Sequence, residues 1–98
     1  MLSIKWTEHA LTQKTDILRY WILRNGSKTY ANKIESESLH AISLLQKNPL
    51  IGKKVKRRKD VRCLVVMSDY SIFYAVREQH IDILSFWDNR QDPKRMKL

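Results

Sequence analysis

The sequence predicts an α+β domain in which a helical hairpin lies on one face of an antiparallel sheet. Three observations predict it. Residues Val61–Met67, Tyr70–Val76 and Ile81–Trp87 are apolar, β-branched and aromatic runs. The breaks between them, Ser68-Asp69 and Arg77-Glu78-Gln79-His80, are too short for a parallel crossover, so the runs form a meander of hairpins. Ahead of them lie two stretches with helical periodicity and almost no linker between. Strands mostly follow helices, which is the α+β order.

The elements follow in chain order. Leu2, Ile4 and Trp6 alternate with Ser3 and Lys5, the pattern of a short half-buried strand. With no hairpin neighbour in sequence, it is expected to pair with the later meander. Thr7 supplies an N-cap hydroxyl, and Glu8 a negative charge in the first turn of helix one, Glu8–Arg24. Leu11, Thr15, Leu18, Trp21 and Ile22 recur at three- and four-residue intervals and read as its buried stripe. Lys14, Asp16 and Arg19 fall outside that stripe. Asn25-Gly26 ends the helix, since both residues tolerate the left-handed conformation.

Ser27 is read as the cap of helix two, Lys28–Lys47, with Tyr30, Ala31, Ile34, Ala41, Ile42 and Leu45 facing the core. Glu35, Glu37 and His40 are expected to face solvent. So short a loop makes the helices an antiparallel hairpin. Asn48-Pro49 stops helix two. The basic segment Lys53–Lys59 reads as an edge strand or a loop, and the sequence leaves both open. The order is β-α-α-β-β-β, with that segment as an optional further strand. Residues 1–98 form a single domain, and the basic tail 94–98 is expected to fray.

Bulk properties narrow the class. No run approaches the roughly 20 apolar residues of a membrane span, and MLSIKWTEHA lacks the apolar centre of a signal peptide. Cys63 is the only cysteine, so no internal disulfide forms, which suits a reducing cytoplasm. Its place in a strand reads as a small core residue. The net charge is +9, concentrated in the second half. Lys53, Lys54, Lys56, Arg57, Arg58, Lys59 and Arg62 crowd ten residues against Asp60 alone. Such a cluster is a footprint for a polyanion. A solvated edge guarded by lysines is the structural alternative.

Chemical constellations are sparse. His9, His40 and His80 are scattered and read as surface histidines. There is no metal-ligand spacing, no glycine-rich phosphate loop, and no histidine at a suggestive spacing from Cys63. No metal or cofactor is called for. What remains is the cationic set, joined by Arg77 and Arg90. Cations can stabilise charge in phosphoryl transfer or simply hold phosphates and carboxylates.

The chain resembles the RelE/ParE superfamily of toxins from type II toxin–antitoxin modules. The resemblance rests on the opening strand ending in Trp6 with Ala10 after it, on Tyr30-Ala31, and on Asn48-Pro49 before Gly52. It continues through Val61-Arg62-x-Leu64, Tyr70-x-Ile72-x-Tyr74, Ile81-x-Ile83-Leu84 and the closing Asp88-Asn89-Arg90-Gln91-Asp92-Pro93. RelE-like members are ribosome-dependent endoribonucleases. They commonly carry an arginine where this chain has Ser71, and often end in a functional tyrosine or histidine where this chain has Lys94-Arg95-Met96-Lys97-Leu98. The resemblance therefore leans to the ParE side, whose members inhibit DNA gyrase. It implies a cognate antitoxin, for which the charge predicts an acidic, partly disordered segment that folds on binding. Arg57, Arg58, Lys59, Arg62, Trp87 and Arg90 are the expected target-binding residues. If the chain were instead an endoribonuclease acting on ribosome-bound mRNA, Arg62, Arg90, Lys54 and Lys56 would be its catalytic candidates. A plain nucleic-acid-binding module is the third reading.

Overall fold

The computed structural model describes residues 2–96 and 98. Lys97, part of the basic tail read from the sequence, lies outside them. The elements are β1 (Ser3–Trp6), α1 (Glu8–Asn25), α2 (Thr29–Lys47), β2 (Lys53–Val55), β3 (Arg58–Val66), β4 (Tyr70–Val76) and β5 (His80–Asp88), then a 3₁₀ turn at Pro93–Arg95. They build one five-stranded sheet in the order β1-β5-β4-β3-β2. The meander is antiparallel as expected. β1 pairs parallel with β5, Ser3 opposite His80 through Trp6 opposite Ile83, so the whole sheet is mixed.

The local chemistry explains the boundaries. The Thr7 hydroxyl accepts from the Ala10 N–H at 3.1 Å and donates to the Ile83 carbonyl at 3.0 Å, so one residue caps α1 and ties it to β5. Gly26, at φ 65°, closes α1 in the left-handed region. α2 starts at Thr29, one residue later than the sequence implied. The Ser27 hydroxyl accepts from the Thr29 N–H at 3.3 Å, but Lys28 holds the capping position. The segment left open by the sequence is an edge hairpin, β2 and the start of β3 joined at Lys56-Arg57.

The core lies between the helices and one face of the sheet. Ile34, Ala41 and Leu45 of α2 and Ala10 of α1 meet Val66, Tyr70, Ile72, Tyr74, Ile81, Ile83 and Phe86. The stripe of α2 is as predicted, with the addition of Ser38, whose hydroxyl donates to the Ile34 carbonyl at 2.7 Å.

Helix one is a correction in part: Leu18 and Trp21 of the expected stripe pack against the core and Ile22 is half-buried, but the stripe's first turns face elsewhere. Leu11 is 48 % exposed and Thr15 is exposed, whereas Ala10, Gln13, Lys14, Ile17 and Trp21 turn inward. The reason is that α1 covers an edge as well as a core. β1 stops opposite Ile83, and beyond it Gln13 Oε1 accepts from the Phe86 N–H at 2.9 Å and the Ser85 hydroxyl at 3.1 Å. A glutamine there does what a longer strand would have done. Lys14, read as lying off the stripe, donates to Glu35 Oε1 at 2.9 Å and sits 4.6 Å from the centroid of the Trp6 ring, so Glu35 is not simply solvated either.

Candidate functional site: three cationic stations

The cations singled out in the sequence do not converge. They occupy three stations around the sheet.

The first station is built on the closing run Asp88–Pro93, in which nearly every polar group has a partner. The β3–β4 turn sets the need. Met67 and Ser68 stand at φ 59° and 66°, a conformation that non-glycine residues avoid. Asn89 braces them: its side-chain amide donates to the Ser68 carbonyl at 3.1 Å and its backbone N–H to the Asp69 carbonyl at 2.8 Å. The Ser71 hydroxyl donates to Asn89 Oδ1 at 2.8 Å. Arg90 donates to both carboxylate oxygens of Asp88, Nε at 2.9 Å and Nη2 at 3.0 Å, and Nη2 also reaches the Tyr70 hydroxyl at 3.1 Å. Its guanidinium lies 5.6 Å from the ring centroids of both Trp21 and Tyr70. The Trp21 indole N–H donates to the same Tyr70 hydroxyl at 2.9 Å.

This arrangement decides the protonation states. Burial would raise the Asp88 carboxyl, but the bonds from Arg90 and its backbone N–H outweigh burial and hold it below the usual carboxylate range. The Asp88 carboxylate in turn raises the Arg90 guanidinium further above its already high value. Burial also raises the Tyr70 phenol, which stays neutral. A cleft of about 430 Å³ opens beside the station, lined by Asp16, Tyr20, Trp21, Asp88, Arg90 and others.

The second station is a clamp on the connection from α2 to β2. Arg62 Nη1 donates to the carbonyls of Leu50, at 3.2 Å, and Gly52, at 2.9 Å. The Tyr74 hydroxyl donates to the Pro49 carbonyl at 2.8 Å and accepts from the Gly52 N–H at 2.9 Å. Burial raises the Tyr74 phenol, so it remains the donor this geometry needs. Gly52 is required by space: a Cβ there would stand 2.6 Å from the Tyr74 oxygen and 2.8 Å from the Cys63 carbonyl oxygen.

The third station is the edge hairpin. Arg58 is tied to Asp60 at 3.1 Å, and Asp60 also receives Arg77 at 3.4 Å. Arg77 bonds Asp82 at 3.0 Å, which His80 also meets at 2.9 Å, so His80 opens β5 instead of lying in the turn. Among the described residues, Lys53, Lys54, Lys56, Arg57 and Lys59 make no ion pair, and all five are exposed. A groove of about 490 Å³ runs alongside, lined by Val55, Lys56, Arg57, Arg58, Phe73, Pro93, Met96 and Leu98. The tail therefore comes back to the second face of the sheet, and Asp92 caps its 3₁₀ turn by accepting from the Lys94 N–H at 3.0 Å.

Trp87 is a correction to the expected target-binding set. It stands opposite Ser71 on an interior strand and is only 7 % exposed, although the bulge at Leu84 turns Phe86 to the main core and leaves Trp87 on the other face of the sheet. Cys63 is half-buried on the face away from the main core, and burial pushes its thiol up. The residues that sequence reasoning missed are Tyr70, Trp21 and Gly52, which hold the arginines in place. Their signal was present only as spacing, in the aromatic opening β4 and the glycine four residues after Asn48.

One comparison with known proteins shows the family. A family model described as the ParE toxin of the type II toxin–antitoxin system parDE matches residues 4–93. Among solved structures, one described as the chromosomal ParDE TA system from P. aeruginosa superposes with a TM-score of 0.74 at 23 % identity. The match covers 90 % of this chain and 96 % of that one, and at this identity it speaks to the fold. No curated protein matches the chain.

Proposed function

The chain belongs to the ParE family of toxins from type II toxin–antitoxin systems, and from that premise we propose that it acts in the cytoplasm by binding and inhibiting DNA gyrase. Its cognate antitoxin neutralises it. The observation that supports a surface-acting toxin is the separation of the cationic stations. Arg90 rests on Tyr70, and Arg62 stands opposite Tyr74, four residues further along β4. That spacing is roughly 13 Å at strand rise. Cation-assisted RNA cleavage needs its cations gathered on one phosphate, and general acid–base groups within hydrogen-bond reach. Here Arg62 and Arg90 are each engaged by internal partners, while Lys54 and Lys56 lie out on the edge hairpin. The hairpin cations instead form a surface, and Arg57, Lys59 and their neighbours are the target contacts in this reading.

A protein at +9 calls for an acidic antitoxin segment. It is the kind of segment that stays disordered until it meets such a surface.

The reading is tested in induced cells by scoring plasmid supercoiling and messenger RNA integrity at the same time point. Altered topology with intact messages is expected. Fragmented messages with normal topology would make this chain a ribonuclease and return Arg62, Arg90, Lys54 and Lys56 to the catalytic role.

A further inference from the structure

The hairpin of β2 and β3 carries its free cations on both of its faces. Lys53 stands opposite Cys63 and Lys54 opposite Arg62. Successive residues of a strand point to opposite sides, so these two lysines diverge. Lys56 and Arg57 form the tip, and Lys59 follows on the returning strand. The ribbon is also the outer edge of the sheet, because the strand order ends at β2. Among the described residues none of the five is neutralised by a carboxylate.

This two-sided distribution discriminates between polyanions. An acidic peptide lying in the groove beside Phe73 meets Lys56 and Arg57 but leaves the far side of the ribbon unused. A duplex meets both sides. The major groove of B-form DNA, about 12 Å wide, admits a two-stranded β-ribbon. The corresponding groove of A-form RNA is too narrow to admit one. Pairing of β3 with β4 begins only at Val61, so Lys56, Arg57 and Lys59 lie on the two-stranded tip, and Lys53 and Lys54 flank it on the edge of the sheet.

We infer that the β2–β3 ribbon grips the phosphate backbone of duplex DNA through Lys53, Lys54, Lys56, Arg57 and Lys59. The contact is independent of base sequence, since lysines and a tip arginine hold phosphates without reading base edges. It rests on the gyrase reading for one point only, that the duplex met in the cell is the DNA held by gyrase. The hairpin cations that meet the target in that reading then do so through the DNA gyrase holds, which favours gyrase already engaged on its substrate.

The test uses the full chain and a labelled B-form duplex of about 20 base pairs, with binding followed by anisotropy between about 50 and 200 mM salt. With about four phosphates engaged, the log–log salt slope of the unaltered chain is expected near −3 to −4. The double substitution Lys56→Glu, Arg57→Glu should reduce that slope by about 2 and weaken binding at low salt by more than about tenfold. A control with the same change of net charge, Arg19→Glu with Lys33→Glu on exposed helix positions, should keep the slope. Circular dichroism of both variants confirms that they are folded.

A control variant that loses as much as the ribbon variant would reduce the effect to bulk charge and overturn the assignment. So would an A-form RNA duplex that displaces the label as well as unlabelled DNA does. Polyglutamate of matched charge competing equally well would hand the ribbon to an acidic protein partner. No gyrase is present in this assay, so a chain that binds the duplex but fails to inhibit supercoiling refutes the target and leaves the DNA contact standing.

Discussion

Arg90 and Arg57 are both exposed arginines two residues beyond the end of a strand, Asp88 in one case and Val55 in the other. Arg90 is ringed by partners: the Asp88 carboxylate, the Tyr70 hydroxyl and the faces of two aromatic rings. Arg57 makes no ion pair among the described residues, and its neighbours Lys56 and Lys59 make none either. The difference lies in what each charge is asked to hold. Arg90 draws the segment after β5 onto α1 and β4, at the turn where Met67 and Ser68 adopt their unfavourable backbone. Among the described residues Arg57 makes no ion pair and no side-chain hydrogen bond. One end of the sheet uses positive charge as scaffold, and the other presents it.

The sharpest way to break the comparison is to damage the scaffold side. Gly52→Ala forces a Cβ against the Cys63 carbonyl oxygen and the Tyr74 ring, in the segment whose carbonyls Arg62 holds. Overpacking of this kind is expected to cost about 3 kcal/mol in denaturant unfolding. A substitution that leaves the midpoint unchanged would mean the clamp is not a constraint. Arg90→Ala should have a smaller effect. It strands the Asp88 carboxylate and removes the stacking on Trp21, yet the side chain is 49 % exposed, so solvent screening limits the loss to about 1–2 kcal/mol. Loss of toxicity by this variant should track its folded fraction and go no further.

Acid sharpens the same point. The folded Asp88 carboxyl is held below its ordinary value of 3.8. The group therefore contributes its full stabilisation above that value, and loses it as pH falls through the depressed folded one. The stability gap between the unaltered chain and Arg90→Ala should be complete at neutral pH and narrow to its stacking part as pH falls below the ordinary carboxyl value and through the depressed folded one. A gap that persists unchanged into acid would place the effect in stacking alone. The smallest stability effect belongs to the presenting side. Lys56→Glu with Arg57→Glu should leave the unfolding midpoint where it was, because among the described residues neither makes an ion pair to lose.

Local signals carried most of the fold. The three apolar runs became β3, β4 and β5, and the Thr7 and Gly26 caps bounded α1. The first half of α1 departs from its apolar periodicity, with Leu11 and Thr15 outward. The inward face includes Gln13 and Lys14, whose work is to close the β5 edge and to pair with Glu35. A polar residue that replaces a missing strand leaves no hydrophobic trace. The parallel pairing of β1 was equally silent, since a strand without a hairpin neighbour does not announce its direction.

The site divides in the same way. The two-residue spacing of Asp88 and Arg90 foreshadows their ion pair, whereas the stacking of Arg90 on Trp21 joins residues far apart in sequence and only folding reveals it. The density of Lys53–Lys59 was plain in the sequence. Which of those charges remain free was not, because Arg58 is taken up locally by Asp60 and Arg77 is shared between Asp60 and Asp82.

The most direct measurement is a supercoiling assay with purified gyrase, titrated with the unaltered chain, with Arg90→Ala at a temperature where it is folded, and with the Lys56→Glu, Arg57→Glu variant. The account predicts that the first two inhibit alike and that the ribbon variant requires at least about tenfold more protein, a loss of about 1.4 kcal/mol or more in binding. A folded Arg90→Ala chain that no longer inhibits, beside a ribbon variant that inhibits fully, would contradict it and move the working surface to the end of the sheet described here as scaffold.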